Sequence, residues 1–209
     1  MELISGIKNI IFDLGGVIIN IDYKITLNAF SALGLKDPEK VYSQVGQLPW
    51  FDKYDKGGIS SQTFLEEFSK FLDPGTTPEQ ITDAWNAMLL DFPQERAGLL
   101  LKLKTRYRTF LLSNTNDLHI SCFFRQIKEK YDYDEMKSFF ERDYYSHRLG
   151  MRKPDTEVFD FVLRENGLNA SETLFIDDTL QHVEGARAAG LRAYHLQSPE
   201  TILDLFADV

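Results

Sequence analysis

Ile7-Lys8-Asn9-Ile10-Ile11-Phe12 is a short, largely β-branched run that stops at Asp13 and turns into Leu14-Gly15-Gly16. An apolar strand that runs into an acid and two glycines reads as a buried parallel strand delivering a side chain at its C-terminal edge. In open α/β sheets that edge is where ligands sit. The pattern returns at Thr109-Phe110-Leu111-Leu112, which ends in Ser113-Asn114, and at Thr173-Leu174-Phe175-Ile176, which ends in Asp177-Asp178. Arg192-Ala193-Tyr194-His195 reads as a further strand, and a shorter one is expected around Tyr144-Tyr145. Helical stretches lie between them: Pro93 to Tyr107, Asp155 to Glu165, and Leu180 to Ala189 before the stop at Gly190. Strand alternating with helix predicts an α/β fold, a Rossmann-like parallel sheet with helices on both faces.

The stretch from Asp22 to about Phe92 has amphipathic helical periodicity and no convincing strand. Asp37-Pro38 reads as a helix start, Asp55-Lys56-Gly57-Gly58 as a turn, and Thr77-Pro78-Glu79-Gln80 as a capping box. About four helices of ordinary length fit here. The expected organisation is an α/β core of residues 1–18 and 93–209, with residues 19–92 as an inserted helical cap. An insertion just after the first strand edge should lie over that edge as a lid.

Length suits this plan, since 209 residues exceed one minimal domain and fall short of two average ones. A net charge of -9 repels phosphate backbones, so nucleic acid is not an expected partner, although one local cation overrides a diffuse field for a small phosphorylated ligand. The single cysteine, Cys122, excludes an intrachain disulfide and favours a reducing compartment. The start of the chain does not read as a signal peptide, and no apolar stretch is long enough to span a bilayer. The expectation is a cytoplasmic monomer or small homo-oligomer with no membrane partner.

The strand ends would bring together Asp13, Ser113, Asn114, Asp177 and Asp178, with Lys153 from the loop Leu149-Gly150-Met151-Arg152-Lys153-Pro154. Carboxylates about 4 Å apart repel by roughly 4 kcal/mol per pair at an effective dielectric near 20. Such a cluster needs a cation, and all-oxygen donors suit Mg²⁺. The cation also relieves the repulsion between an attacking carboxylate and a phosphoryl dianion. Lys153 neutralises a further oxygen, and the Ser113 hydroxyl holds another. A nucleophile among electrostatic clamps is what phosphoryl transfer requires.

Four segments in this order resemble the haloacid dehalogenase-like hydrolase superfamily: Phe12-Asp13-Leu14-Gly15-Gly16-Val17, Leu112-Ser113-Asn114-Thr115-Asn116, Gly150-Met151-Arg152-Lys153-Pro154 and Phe175-Ile176-Asp177-Asp178. The gaps fit as well, with 100 residues from Asp13 to Ser113 and 25 from Lys153 to Asp178. Each segment alone is weak; four in order are strong. The nearest subgroup by motif is the sugar-phosphate phosphatases acting on α-glucose 1-phosphate. The resemblance implies that Asp13 is the nucleophile and forms an aspartyl-phosphate. It implies Mg²⁺ on Asp13, the Gly15 carbonyl and Asp178, with Asp177 on or beside the ion. Ser113 and Asn114 would bind phosphate, and Lys153 would orient Asp13 and phosphate.

One position departs from the family. Most of its phosphatases carry a second aspartate two residues after the nucleophile as general acid and base, and this chain has Gly15 there. A positioned acid is typically worth about 10²–10⁴-fold in rate. A sugar 1-phosphate has a better leaving group than a simple alkyl phosphate, and Asp22, a cap residue or water are the alternative proton donors. The expected function is a Mg²⁺-dependent phosphatase of small phosphorylated metabolites, sugar phosphates being one candidate class. The alternatives are a 2-haloacid dehalogenase, whose halide needs no proton, and a non-catalytic phosphate-ligand-binding protein.

The remaining polar residues have plainer expectations. Asn116 and His119 read as a helix cap and a packing residue, and His147, His182 and His195 lack zinc-site spacing. One of the Asp177-Asp178 pair is expected to cap the helix that begins near Thr179, and the other to bind metal. Asp22 reads as an N-cap or hinge, Cys122 as buried, and Trp50, Phe51 and Tyr54 as cap core.

Overall fold

The computed structural model describes residues 3–38, 40, 49–131 and 136–208. The elements run β1 (Asn9–Phe12), α1 (Tyr23–Ala32), α2 (Pro49–Asp55), α3 (Ser61–Ser69), α4 (Pro78–Asn86), α5 (Gln94–Lys104), β2 (Arg108–Ser113), α6 (Asp117–Tyr131), β3 (Arg142–Tyr145), α7 (Ser146–Leu149), α8 (Thr156–Asn166), β4 (Thr173–Asp177), α9 (Leu180–Ala188), β5 (Arg192–His195) and α10 (Ile202–Leu205), with two short 3₁₀ turns. Each apolar run read as a strand is a strand. The helix start expected at Asp37-Pro38 leads into residues 39 and 41–48, which lie outside the described residues. Among the described residues no helix is long and apolar enough to cross a membrane.

The five strands form one parallel sheet in the order β3-β2-β1-β4-β5. Period-two alternation sends successive side chains to opposite faces. Ile10 and Phe12 of β1, with Leu174 and Ile176 of β4, face a core shared with Leu100 and Leu103 of α5 and Phe123 of α6. Ile11 and Phe175 face the other way, toward Val158, Phe159 and Val162 of α8. Both faces are therefore covered, and the strands can be apolar throughout. The chain leaves β1 for β2 on one side and reaches β4 on the other, so β1 stands at the switch of strand order, where a crevice opens.

Helices α1 to α4 pack around a separate aromatic core that includes Phe30, Tyr54, Phe64, Phe68 and Trp85. Tyr54 stacks on Phe64 with ring centroids 4.1 Å apart. The capping box at Thr77 and Gln80 starts α4, and Asp22 caps α1 by accepting from the Lys24 N–H. Two adjoining segments join this unit to the sheet. The Asp22 N–H donates to the Met88 carbonyl, Leu90 N–H to Asn20, and Asn20 N–H to Asp91, a short antiparallel neck. The neck leaves directly from the loop after β1, and this places the helical unit above the sheet's C-terminal edge.

Candidate active site

Asp13 follows the last residue of β1, and its N–H donates to the Ile176 carbonyl of β4 (2.9 Å). Register does the rest. Phe12 lies opposite Leu111 and Ile176, so β2 and β4 deliver Ser113 and Asp177 on either side of Asp13. The loop after β1 turns tightly, with the Ile18 and Ile19 N–H groups donating to the Leu14 carbonyl and Gly16 N–H to Ile19. Gly16 makes the turn at φ +73°, in the left-handed region.

Lys153 is fully buried (0% exposed) between two carboxylates. Its Nζ donates to Asp13 Oδ1 at 2.7 Å and to Asp177 Oδ2 at 2.6 Å. Burial alone would lower the ammonium pKa, but Asp13 and Asp177 outweigh it and hold it raised. Burial also pushes Asp177 up, yet the Lys153 charge and the His182 hydrogen bond bring it well below the usual carboxylate range. Asp13 moves the other way, to about 7: burial dominates, Lys153 opposes it, and the Asp177 charge adds to it. Asp178 is raised by burial and by Asp177.

A ring of hydrogen bonds fixes Lys153. His182 Nδ1 lies 3.1 Å from both Asp177 oxygens. A carboxylate only accepts, so Nδ1 carries the proton and Nε2 faces the Asn114 amide at 3.4 Å. Asn114 Nδ2 also donates to the Lys153 carbonyl (2.8 Å), and Asn114 Oδ1 accepts from the Lys153 N–H (2.9 Å). The Asn114 carboxamide, expected on phosphate, is thus taken up in clasping the lysine's backbone. His182, read from sequence as an ordinary histidine, completes the ring; a lone histidine one helical turn past an acidic pair carries no recognisable motif.

Ligating oxygens of Asp13, Asp177 and Asp178 lie within 4.8 Å of one another. The donor set is hard and anionic, and the only buried cation against it, among the described residues, is Lys153. Asp13 and Asp178 are raised by burial first and by neighbouring carboxylates second, and a divalent cation would offset both costs. Gly15 adds a carbonyl that accepts no hydrogen bond among the described residues, and the cluster fits Mg²⁺. Asp177, expected on or beside such an ion, has both oxygens already accepting from Lys153, His182 and the Thr179 N–H. Neither member of the acidic pair caps α9, contrary to expectation: the N-cap is Thr179, because Asp177 is the last residue of its strand.

Above the cluster is a cavity of about 430 Å³. Asp13, Gly15, Ser113, Asn114 and Asp178 form its floor, and Phe51, Asp55, Trp85 and Met88 of the helical unit form its roof. The Ser113 hydroxyl, on a residue only 3% exposed, has no hydrogen-bond partner among the described residues. Arg152 reaches from beside Lys153 to Asp55 of α2 (3.1 Å), whose carboxyl burial pushes up to about 6 against the pull of Arg152. His119, expected as packing, lines the same cavity, and Asn116 caps its helix by accepting from the His119 N–H. His195 donates to the Asp178 carbonyl and His147 contacts the Thr115 carbonyl, both framework roles. Asp22 is not among the cavity-lining residues.

Residues 7–190 match the family model described as haloacid dehalogenase-like hydrolase. The D-ribitol-5-phosphate phosphatase of Bacteroides thetaiotaomicron is 31% identical over 193 residues, spanning 90% of this chain and 91% of the relative. The solved structure of wild-type HAD family enzyme bt-2542 from the same organism, in complex with magnesium and inorganic phosphate, is 32% identical, with a TM-score of 0.84 over 96% of this chain and 99% of that one. The L-2-haloacid dehalogenase of Xanthobacter autotrophicus is 16% identical, with a TM-score of 0.58 over 90% of this chain and 76% of that one, a likeness of fold alone.

Proposed function

The chain belongs to the haloacid dehalogenase-like hydrolases, and on that premise we propose that it is a magnesium-dependent phosphatase of small phosphorylated metabolites, polyol and sugar phosphates foremost. The observation that carries this reading is the floor of the cavity. There a buried aspartate has one oxygen held by a buried lysine, beside an acidic cluster and an uncommitted serine hydroxyl. The phosphatase named for a polyol phosphate supports the substrate class. The dehalogenase alternative leaves the acidic cluster without a purpose, since displacing a halide needs no cation.

Lys153 draws charge to Asp13 Oδ1 and turns Oδ2 to the cavity as the attacking atom. Oδ2 bonds to phosphorus as the bond to the ester oxygen breaks, giving an aspartyl-phosphate and an alkoxide. Ser113 Oγ and the backbone N–H groups of the strand ends hold the phosphoryl oxygens. Water then cleaves the acyl-phosphate and returns the Asp13 carboxylate. Asp13, the Gly15 carbonyl and Asp178 would hold Mg²⁺, with Asp177 positioning Lys153. When bound, the ion keeps Asp13 ionised and neutralises the phosphoryl oxygens. Gly15 carries no proton to give, so the alkoxide takes its proton from water.

The test is phosphate release from a panel of phosphate esters. Release is expected with Mg²⁺, is lost on chelation, and is abolished by Asp13→Asn. A panel with no turnover, or turnover surviving in Asp13→Asn, sinks the reading.

A further inference from the structure

His119 is set into the wall of the cavity by contacts that fix both its plane and its proton. Its ring lies flat on the Trp85 indole, centroids 5.1 Å apart and planes 2° from parallel. Its Nδ1 is 2.9 Å from Asn86 Oδ1, across the seam between α6 and α4. An amide oxygen only accepts, so Nδ1 carries the proton and Nε2 keeps its lone pair. Asn116 Oδ1 accepts from both Trp85 Nε1 (3.3 Å) and the His119 N–H (3.1 Å), tying indole and histidine to one anchor. Among the described residues Nε2 has no hydrogen-bond partner. Burial brings the imidazole down to about 3, so it stays neutral in the physiological range.

A fixed neutral acceptor is no use to a phosphate dianion, which has lone pairs of its own. It suits an O–H donor. The surrounding roof offers mostly apolar contact from Phe51, Trp85 and Met88. We propose that His119 Nε2 is a specificity-determining acceptor for a hydroxyl on the alcohol portion of the ester, selecting hydroxylated chains over bare alkyl chains. This rests on the phosphatase reading and adds to it the residue that reads the alcohol. Sites built around a buried polar group reject analogues that leave it unpaired.

The test compares kcat/KM for D-ribitol 5-phosphate and n-pentyl phosphate, which share a primary alkoxide leaving group and chain length. His119→Phe keeps a ring against Trp85 and removes the acceptor; His119→Gln supplies a carbonyl oxygen in its place. The polyol-to-alkyl ratio is expected to fall roughly five- to tenfold in His119→Phe, mostly through KM, the scale of one net hydrogen bond, and to recover in part in His119→Gln. A ratio unchanged from wild type in both variants overturns the inference while the phosphatase reading stands. A wild type that shows no preference for D-ribitol 5-phosphate over n-pentyl phosphate also overturns the inference, while the phosphatase reading stands or falls on the wider ester panel.

Discussion

At Gly16 a methyl group would stand 2.1 Å from Asp178 Oδ2, at a φ of +73°. The glycine lets the acidic side chain lie against the backbone of the loop that follows Asp13. Gly16→Ala should displace Asp178, weaken Mg²⁺ binding and cut kcat/KM on the order of 10²-fold, the cost of about 1 Å of misplacement; titration calorimetry and initial rates check it. Its neighbour Gly15 differs, since a Cβ there would meet the Ile21 side chain, Cδ1 at 3.3 Å and Cγ2 at 3.7 Å. Without an acid at that place, rate should depend steeply on the leaving group. Aryl phosphates should turn over far faster than alkyl phosphates of equal size, and a flat dependence would reveal a proton donor elsewhere. Asp13, Lys153 and Asp178 were legible from sequence because each sits at a strand end or in a loop with a recognisable neighbourhood. The bond ring through Asn114 and His182 was not, because it depends on which face of α9 turns toward the lysine. His119 was hidden for the same reason: its partners Trp85 and Asn86 come from a distant helix.

Among the elements, β1, β2 and β4 were readable because strands covered on both faces must be largely apolar, and their ends must be polar; β5 is an edge strand, half-buried along its length, with a mixed sequence. The capping box of α4 was equally plain. The neck joining the helical unit to the sheet had no signature, since its pairing is a few backbone bonds with no side-chain pattern. Helix α9 shows how an element governs the site from outside it. Gly185 packs against the loop that carries Lys153, and a Cβ there would lie 2.2 Å from the Pro154 carbonyl. Gly185→Ala should push that loop and its lysine away from Asp13. A loss of about 1–3 kcal/mol in stability is expected for such overpacking, with a fall in kcat larger than the change in KM; denaturant unfolding and steady-state kinetics separate the two.

For the whole molecule, the acidic floor and the roof carboxyl make stability depend on pH and metal together. Asp13 at about 7 and Asp55 at about 6 both lie above the ordinary 3.8. The folded protein therefore holds protons that the unfolded chain releases, and the stability from these groups is present in acid and lost as pH rises through about 6 to 7. Asp177 is shifted down and acts oppositely, costing stability only in stronger acid. Buried His119, held neutral, works the other way below about 6.5, so the comparison that isolates Asp13 is with Asp13→Asn. The Tm of metal-free wild type should fall relative to that variant between pH 5 and 7.5, and Mg²⁺ should raise the wild-type Tm more at pH 7.5 than at pH 5, because the ion needs ionised oxygens. A metal response equal at both values would contradict the assignment of Asp13 to the ion. The enclosure of Lys153 has a consequence for chemical labelling. Acylating reagents need a neutral amine within reach, and this one is charged and sealed between Asp13 and Asp177. In a lysine-reactivity profile of the native protein it should remain unmarked, and its first appearance during gentle denaturation would time the opening of the cavity floor.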